Sequence, residues 1–296
     1  MHHEDDRTLD TEGNQCRCVL RIRRHTTTRS VRRVSGSLET ALSDRTSPPC
    51  TAVNIWLFDL TRGSRSKLTF DPADETNPTW SPDGRQIAFT SDKKGSRDLY
   101  RKAASGSGQE ELLLQSADDK SAEDWTRDGR YLLYNKRADA KRALWALPLA
   151  GDRKPFAVLN APGTQPECQI SPDGKWIAYR SDESGRQEIY VQNFPPAGGK
   201  WQVSTAGGVD PQWRRDGKEM FYRQGNRLMS VEVRTTDDRF ERDLPRLLFE
   251  LSAILRGRNQ YTVSPDGQKF LAIVPMKASV SLPIAVLLDW QSQARR

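Results

Sequence analysis

The sequence predicts an all-β fold: a β-propeller of four-stranded blades, five of them full and one partial. Three observations carry this. A tight-turn motif occurs five times, its copies recur at a nearly constant period, and the segments between turns have strand length. The motif reads WSPDG at 80–84, WTRDG at 125–129, ISPDG at 170–174, WRRDG at 213–217 and VSPDG at 263–267. Its aspartates, Asp83, Asp128, Asp173, Asp216 and Asp266, are spaced by 45, 45, 43 and 50 residues. A period of this length with turns every ten or so residues accommodates four antiparallel strands, one propeller blade.

Within a repeat each element follows from local chemistry. Pro82 presets φ at the first central position of its turn, Asp83 takes the second, and Gly84 accepts positive φ at the exit. Gly129, Gly174, Gly217 and Gly267 stand in the same place. Four residues before each glycine come Trp80, Trp125, Ile170, Trp213 and Val263, which end the first strand and offer bulk to fill the gap between blades. Second strands are expected at 86–90, 131–134, 176–179, 219–222 and 269–273. Third strands follow at 98–102, 143–148, 188–192, 227–233 and 283–289. Weaker fourth strands are placed at 111–114 and 246–249. Helical periodicity is absent.

A lone blade cannot bury both faces, so blades must stack radially. Residues 54–60 and 67–70 are expected to be the third and fourth strands of an earlier blade. Its first two strands find little support before residue 54, where only 30–42 is a candidate. The first blade is therefore expected to be truncated, within a ring of six. Residues 1–50 are assigned to a disordered basic tail, 51–292 to the propeller and 293–296 to a short C-terminal tail.

Composition narrows the function. The 296 residues carry a net charge of +7, split as +2 on residues 1–50 and +5 on the remainder. So small an excess favours solubility over a dedicated nucleic-acid surface, and nucleic acid is not an expected partner. The seven arginines within 15–35 have no aromatic residues among them, so no base-stacking platform is offered. Cys16, Cys18 and Cys50 lie in the N-terminal segment and Cys168 in the repeats, which makes no disulfide framework. Cys16 and Cys18 with His25 and Cys50 match no common zinc spacing. The apolar runs at 270–275 and 283–288 are far too short to span a membrane. No apolar run marks a secretory signal in MHHEDDRTLD, so the chain as written is expected in the cytoplasm, as a monomer.

The repeat PTWSPDGRQIAFTSDKKGSRDLY resembles that of TolB-like propellers, which are related to WD-type repeats; the resemblance covers about 54–290. The C-terminal segments WRRDGKEMFYRQGNRLMSVEV, LPRLLFE, YTVSPDGQKFLAI and LPIAVLLDW are similar to the ends of propellers fused to bacterial serine/threonine protein kinases. That resemblance implies a sensor or partner-binding domain, extracytoplasmic if the chain belongs to a longer protein of that type. The kinase motifs themselves are not present: there is no glycine-rich nucleotide loop, His-Arg-Asp or Asp-Phe-Gly.

No enzyme activity, cofactor or metal is expected. The repeated aspartates sit in separate blades, whereas a calcium loop gathers its ligands within a dozen residues. Propellers also precede peptidase domains, but neither a Gly-x-Ser-x-Gly elbow nor a histidine beyond His2, His3 and His25 occurs. The remaining candidate is the mouth of the central channel, where the loop entering each first strand should lie. Those loops are DETNP, DKSAE, TQPEC, GGVDP and GRNQY. They carry six acidic residues, Asp74, Glu75, Asp119, Glu123, Glu167 and Asp210, against Lys120 and Arg258. With Asn77 and Gln260 they form an expected site for a cationic segment of a partner protein or peptide. The chain is thus expected to be a non-catalytic scaffold for protein–protein interaction or ligand sensing. The alternatives are the detached sensor of a receptor-like kinase and the propeller of a peptidase lacking its catalytic domain.

Overall fold

A computed structural model describes residues 21–24, 38–44, 52–59, 64–138, 141–159, 167–236, 239–251, 261–273 and 284–287. All regular structure among them is β, in six antiparallel sheets. Blade I holds β1 Arg21–Arg24, β2 Leu38–Asp44, β3 Asn54–Asp59 and β4 Ser64–Lys67. Blade II holds β5 Glu75–Trp80, β6 Gln86–Lys94, β7 Ser96–Ala103 and β8 Glu111–Leu114. Blade III comprises β9 Asp119–Trp125, β10 Tyr131–Ala138, β11 Lys141–Pro148 and β12 Phe156–Leu159. Blade IV comprises β13 Cys168–Ile170, β14 Trp176–Ser181, β15 Glu188–Asn193 and β16 Lys200–Gln202. Blade V adds a fifth strand: β17 Val209–Trp213, β18 Glu219–Gln224, β19 Arg227–Thr235, β20 Phe240–Arg242 and β21 Arg246–Glu250. Blade VI has three described strands, β22 Tyr261–Val263, β23 Phe270–Ile273 and β24 Ile284–Leu287.

The predicted strands fall where the turn spacing put them, but blade I differs from expectation. Leu38–Asp44 pairs with β3 in unbroken register, and Arg21–Arg24 pairs with Leu38–Asp44 in turn. Blade I is thus four-stranded rather than truncated, and the segment assigned to a basic tail contributes two strands. RIRR and LETALSD lack the turn motif that exposes every other blade; cross-strand pairing defines them instead. The three-stranded sheet is the last one. The other residues of 1–50, and all of 293–296, lie outside the described residues.

The five turns behave as their sequence demands. Each glycine has φ between 74° and 77°, a conformation that a side chain resists. Its amide closes the turn on the residue three before it, as Gly84 N does on Ser81 O at 3.0 Å. The aspartates are turn acceptors. Asp83 takes hydrogen bonds from the Ser81 hydroxyl at 2.6 Å and Arg85 N at 3.0 Å. Asp128, Asp173, Asp216 and Asp266 accept the corresponding amides of Arg130, Lys175, Lys218 and Gln268 at 2.9–3.1 Å.

The residue ending each first strand packs on the preceding blade. Trp80 joins Ile55 and Leu68, and Trp125 joins Ala88 and Leu99. Ile170 meets Leu133 and Leu144, Trp213 meets Trp176 and Ile189, and Val263 meets Phe221 and Leu228. The core is therefore a succession of inter-blade layers rather than one central mass. Burying one such large side chain stabilises by roughly 1.5–3 kcal/mol. Among the described residues no helix is long and apolar enough to cross a membrane.

Candidate functional site

First-strand residues of blades II to VI line one shared cavity, among them Thr79, Asp124, Gln169, Gln212 and Tyr261, and the loops entering these strands are the expected mouth. Three of these strands bend there. Register shifts lie between Thr76 and Thr79 in β5, at Glu123 between Ala122 and Asp124 in β9, and between Val209 and Gln212 in β17. Asn77 and Asp210, inside the first and last of these bulges, both have φ of 52°. Asparagine and aspartate tolerate that conformation best among residues with side chains, and a bulge re-aims the side chain it carries. The Asn77 amide crosses to the next blade and donates to Ser121 Oγ at 2.6 Å.

Across blades IV to VI the mouth is a chain of satisfied groups. Arg180 donates to Glu167 Oε1 at 2.9 Å, and Asp210 N donates to Glu167 Oε2 at 3.1 Å. Arg223 meets Asp210 Oδ2 at 2.7 Å with both side chains almost fully buried. The Tyr261 hydroxyl closes the chain on Asp210 O at 2.9 Å, and burial holds its phenol pKa well above the usual range. Two of the expected acids thus already hold guanidinium groups. The sequence count missed this because Arg180 and Arg223 belong to the second strands, opposite the mouth residues.

Blades II and III keep the other four acids. Asp74 accepts Val53 N at 2.9 Å, Asp119 accepts Arg97 N at 3.1 Å, and Glu123 accepts Asn135 Nδ2 at 2.6 Å. Glu75 is wholly buried, and neither carboxyl oxygen has a hydrogen-bond partner of normal geometry. Burial pushes its carboxyl from the ordinary 4.5 up to about 7, opposed by the nearby Thr69 hydroxyl and Lys93 and reinforced by Glu110 and Asp71. Lys120, counted as a mouth cation, turns inward instead and pairs with Asp98 at 2.8 Å. Gln260 lies outside the described residues.

Below the mouth, this shared cavity of about 160 Å³ is lined by Trp80, Asp124, Glu167, Gln169, Asp210 and Gln212, among others. Three of these were not foreseen, and they form a ladder between blades. Asp124 Oδ2 accepts Ile170 N at 2.9 Å, Gln169 Oε1 accepts Trp213 N, and Gln212 Oε1 accepts Val263 N at 3.2 Å. Each immediately precedes the residue ending its first strand, so aligned repeats would have revealed the position. The ladder fixes neighbouring first strands through side chain and backbone together. Its carbonyl and carboxylate oxygens are thereby engaged in structure. No three His, Cys, Asp or Glu side chains converge as metal ligands among the described residues.

Residues 50–156 match the family described as the TolB beta propeller domain. TolB of Acinetobacter baumannii superimposes with a TM-score of 0.61 at 14% identity, covering 88% of this chain and 74% of that one. The chain has the fold of a TolB-like β-propeller. A putative TolB of Agrobacterium tumefaciens gives a TM-score of 0.56 at 15% identity, over 72% of this chain and 78% of that one. At such identities the likeness is one of fold. An uncharacterized peptidase of Bacillus subtilis (strain 168), YuxL, is 39% identical over 54 residues, 18% of this chain and 8% of the relative. This TolB-like propeller therefore aligns with only a small part of that peptidase's length.

Proposed function

We propose that this TolB-like propeller is a non-catalytic protein-interaction scaffold whose channel mouth takes a cationic segment of a partner on the side of blades II and III. One observation carries the proposal. Asp119, half-buried at the start of β9, makes no ion pair among the described residues, whereas Glu167 and Asp210 across the mouth are held by arginines. A half-buried Asp119 at the rim can meet an incoming ammonium or guanidinium group. Asp74 and Glu123 add negative potential beside it, and complementary charge steers association and fixes register. The non-catalytic part of the proposal is supported by the engagement of Asp124, Glu167 and Asp210 and by the complete burial of Glu75, since a general base must be within reach of the proton it takes.

Reversing Glu167 or Asp210 would strand Arg180 or Arg223, so neutral replacements on the other side make the cleaner test. Asp119→Asn with Glu123→Gln should weaken binding of a fluorescein-labelled oligo-lysine peptide at low salt by about tenfold, or ~1.4 kcal/mol. Fluorescence anisotropy reads the affinity. Unchanged affinity in the double variant would remove cation binding at this mouth.

A further inference from the structure

The outermost strand of blade I differs from its counterparts. β4 carries Arg65 and Lys67, two residues apart and therefore on one face of the strand. Neither makes an ion pair among the described residues. Each lies instead over an aromatic ring: Arg65 over Trp56 at 5.5 Å, and Lys67 over Phe70 at 5.3 Å. Lys102 of blade II approaches the same Phe70 ring at 5.8 Å, although its charge is shared with Glu110 at 3.6 Å. Phe70 is 69% exposed, one of three exposed large apolar side chains among the described residues. Aromatic rings with cations held against them form a preordered positive strip from the edge of blade I to blade II.

We propose that this edge docks an acidic, extended segment of a partner protein, which adds a strand to β4. The sheet ends at β4, so its outward amides and carbonyls are available for pairing among the described residues. Carboxylates two residues apart on such a segment would fall on one face, opposite Arg65 and Lys67. Charge on an edge strand can also serve only to repel unwanted pairing. The other outermost strands argue against that for β4. In β8, Glu111 is bound by Arg101 and Arg153; in β16, Lys200 is bound by Glu183; in β21, Arg246 and Glu250 are both paired. β12 reads FAVL and carries no charge. In β20, Glu241 is paired with Arg239, and Arg242 donates to the Gln202 and Asp243 carbonyls. Cations engaged by neither an acid nor a carbonyl thus belong to β4 rather than to blade edges in general. The strip is separate from the channel mouth and takes the opposite charge.

The full chain is titrated into a fluorescein-labelled peptide of alternating glutamate and valine at low salt, with anisotropy as readout. Arg65→Glu with Lys67→Glu should weaken binding by about tenfold, and Phe70→Ala by about threefold. Lys94→Glu, an exposed lysine without an aromatic neighbour, should leave affinity unchanged. These side chains are at the surface, so circular dichroism melts should coincide and separate binding from folding. Equal affinity in wild type and the double variant would overturn the proposal. So would displacement of the peptide by oligothymidylate at lower concentration, which would assign the strip to single-stranded nucleic acid.

Discussion

Replacing Lys120 with methionine should destabilise the propeller by about 3–5 kcal/mol. The Lys120 and Asp98 side chains are 1% and 0% exposed, and their charges meet at 2.8 Å. The ammonium also donates to Ser116 O at 3.2 Å and to Asp118 O at 2.6 Å, so all three of its protons are used. Methionine matches the stem but leaves the Asp98 charge in the interior with Ser116 N as its remaining donor at 3.2 Å. An uncompensated buried charge costs far more than the pair itself contributes. Lys120→Met with Asp98→Leu should therefore recover much of the loss. Urea midpoints of the three proteins check this. A loss below about 1 kcal/mol in the single variant would mean that water reaches Asp98.

Glu75→Gln should have an effect that depends on pH. The Glu75 carboxyl is raised in the fold to about 7 from 4.5 because burial disfavours its charge. Below the ordinary value it is protonated folded or unfolded and affects nothing. Between 4.5 and 7 the unfolded chain has released the proton that the folded chain retains. Folding then takes up a proton, and stability falls as pH rises. Above 7 the full penalty persists. Glutamine cannot ionise, so it should stabilise by about 1–3 kcal/mol at pH 8 relative to its effect at pH 4. Paired urea titrations at the two pH values give the difference. An identical difference between variant and wild type at both would contradict a buried, raised Glu75.

The fold was legible because one local device repeats. A turn that needs glycine at positive φ, an aspartate to accept the following amide, and a bulky residue closing the strand before it announces each of five blades. Blade I's first two strands were not legible for the converse reason. Arg21–Arg24 offers three arginines in four residues, and the Gly36 that precedes Leu38–Asp44 follows a serine, without the aspartate that stands before the glycine in the other five turns. Only pairing with the apolar β3 defines them.

At the mouth, the acidic residues could be counted from sequence, yet their partners could not. Glu167 and Arg180 are thirteen residues apart and meet through the register of β13 and β14, as Arg180 N bonding to Glu167 O makes plain. Lys120 counts as a mouth charge by sequence, yet it points inward because Asp98, the third residue of β7, is buried at that depth. Loop composition therefore overstated the acidity on the side of blades IV and V and left that of blades II and III standing.

Hydrogen exchange of the full chain, with and without an oligo-lysine peptide, tests the central claim most directly. Slowed exchange is expected only at 74–77 and 119–123, the first-strand entries of blades II and III. Protection at the opposite end, over the turns carrying Asp83 and Asp128, or no protection anywhere at saturating peptide, would contradict it.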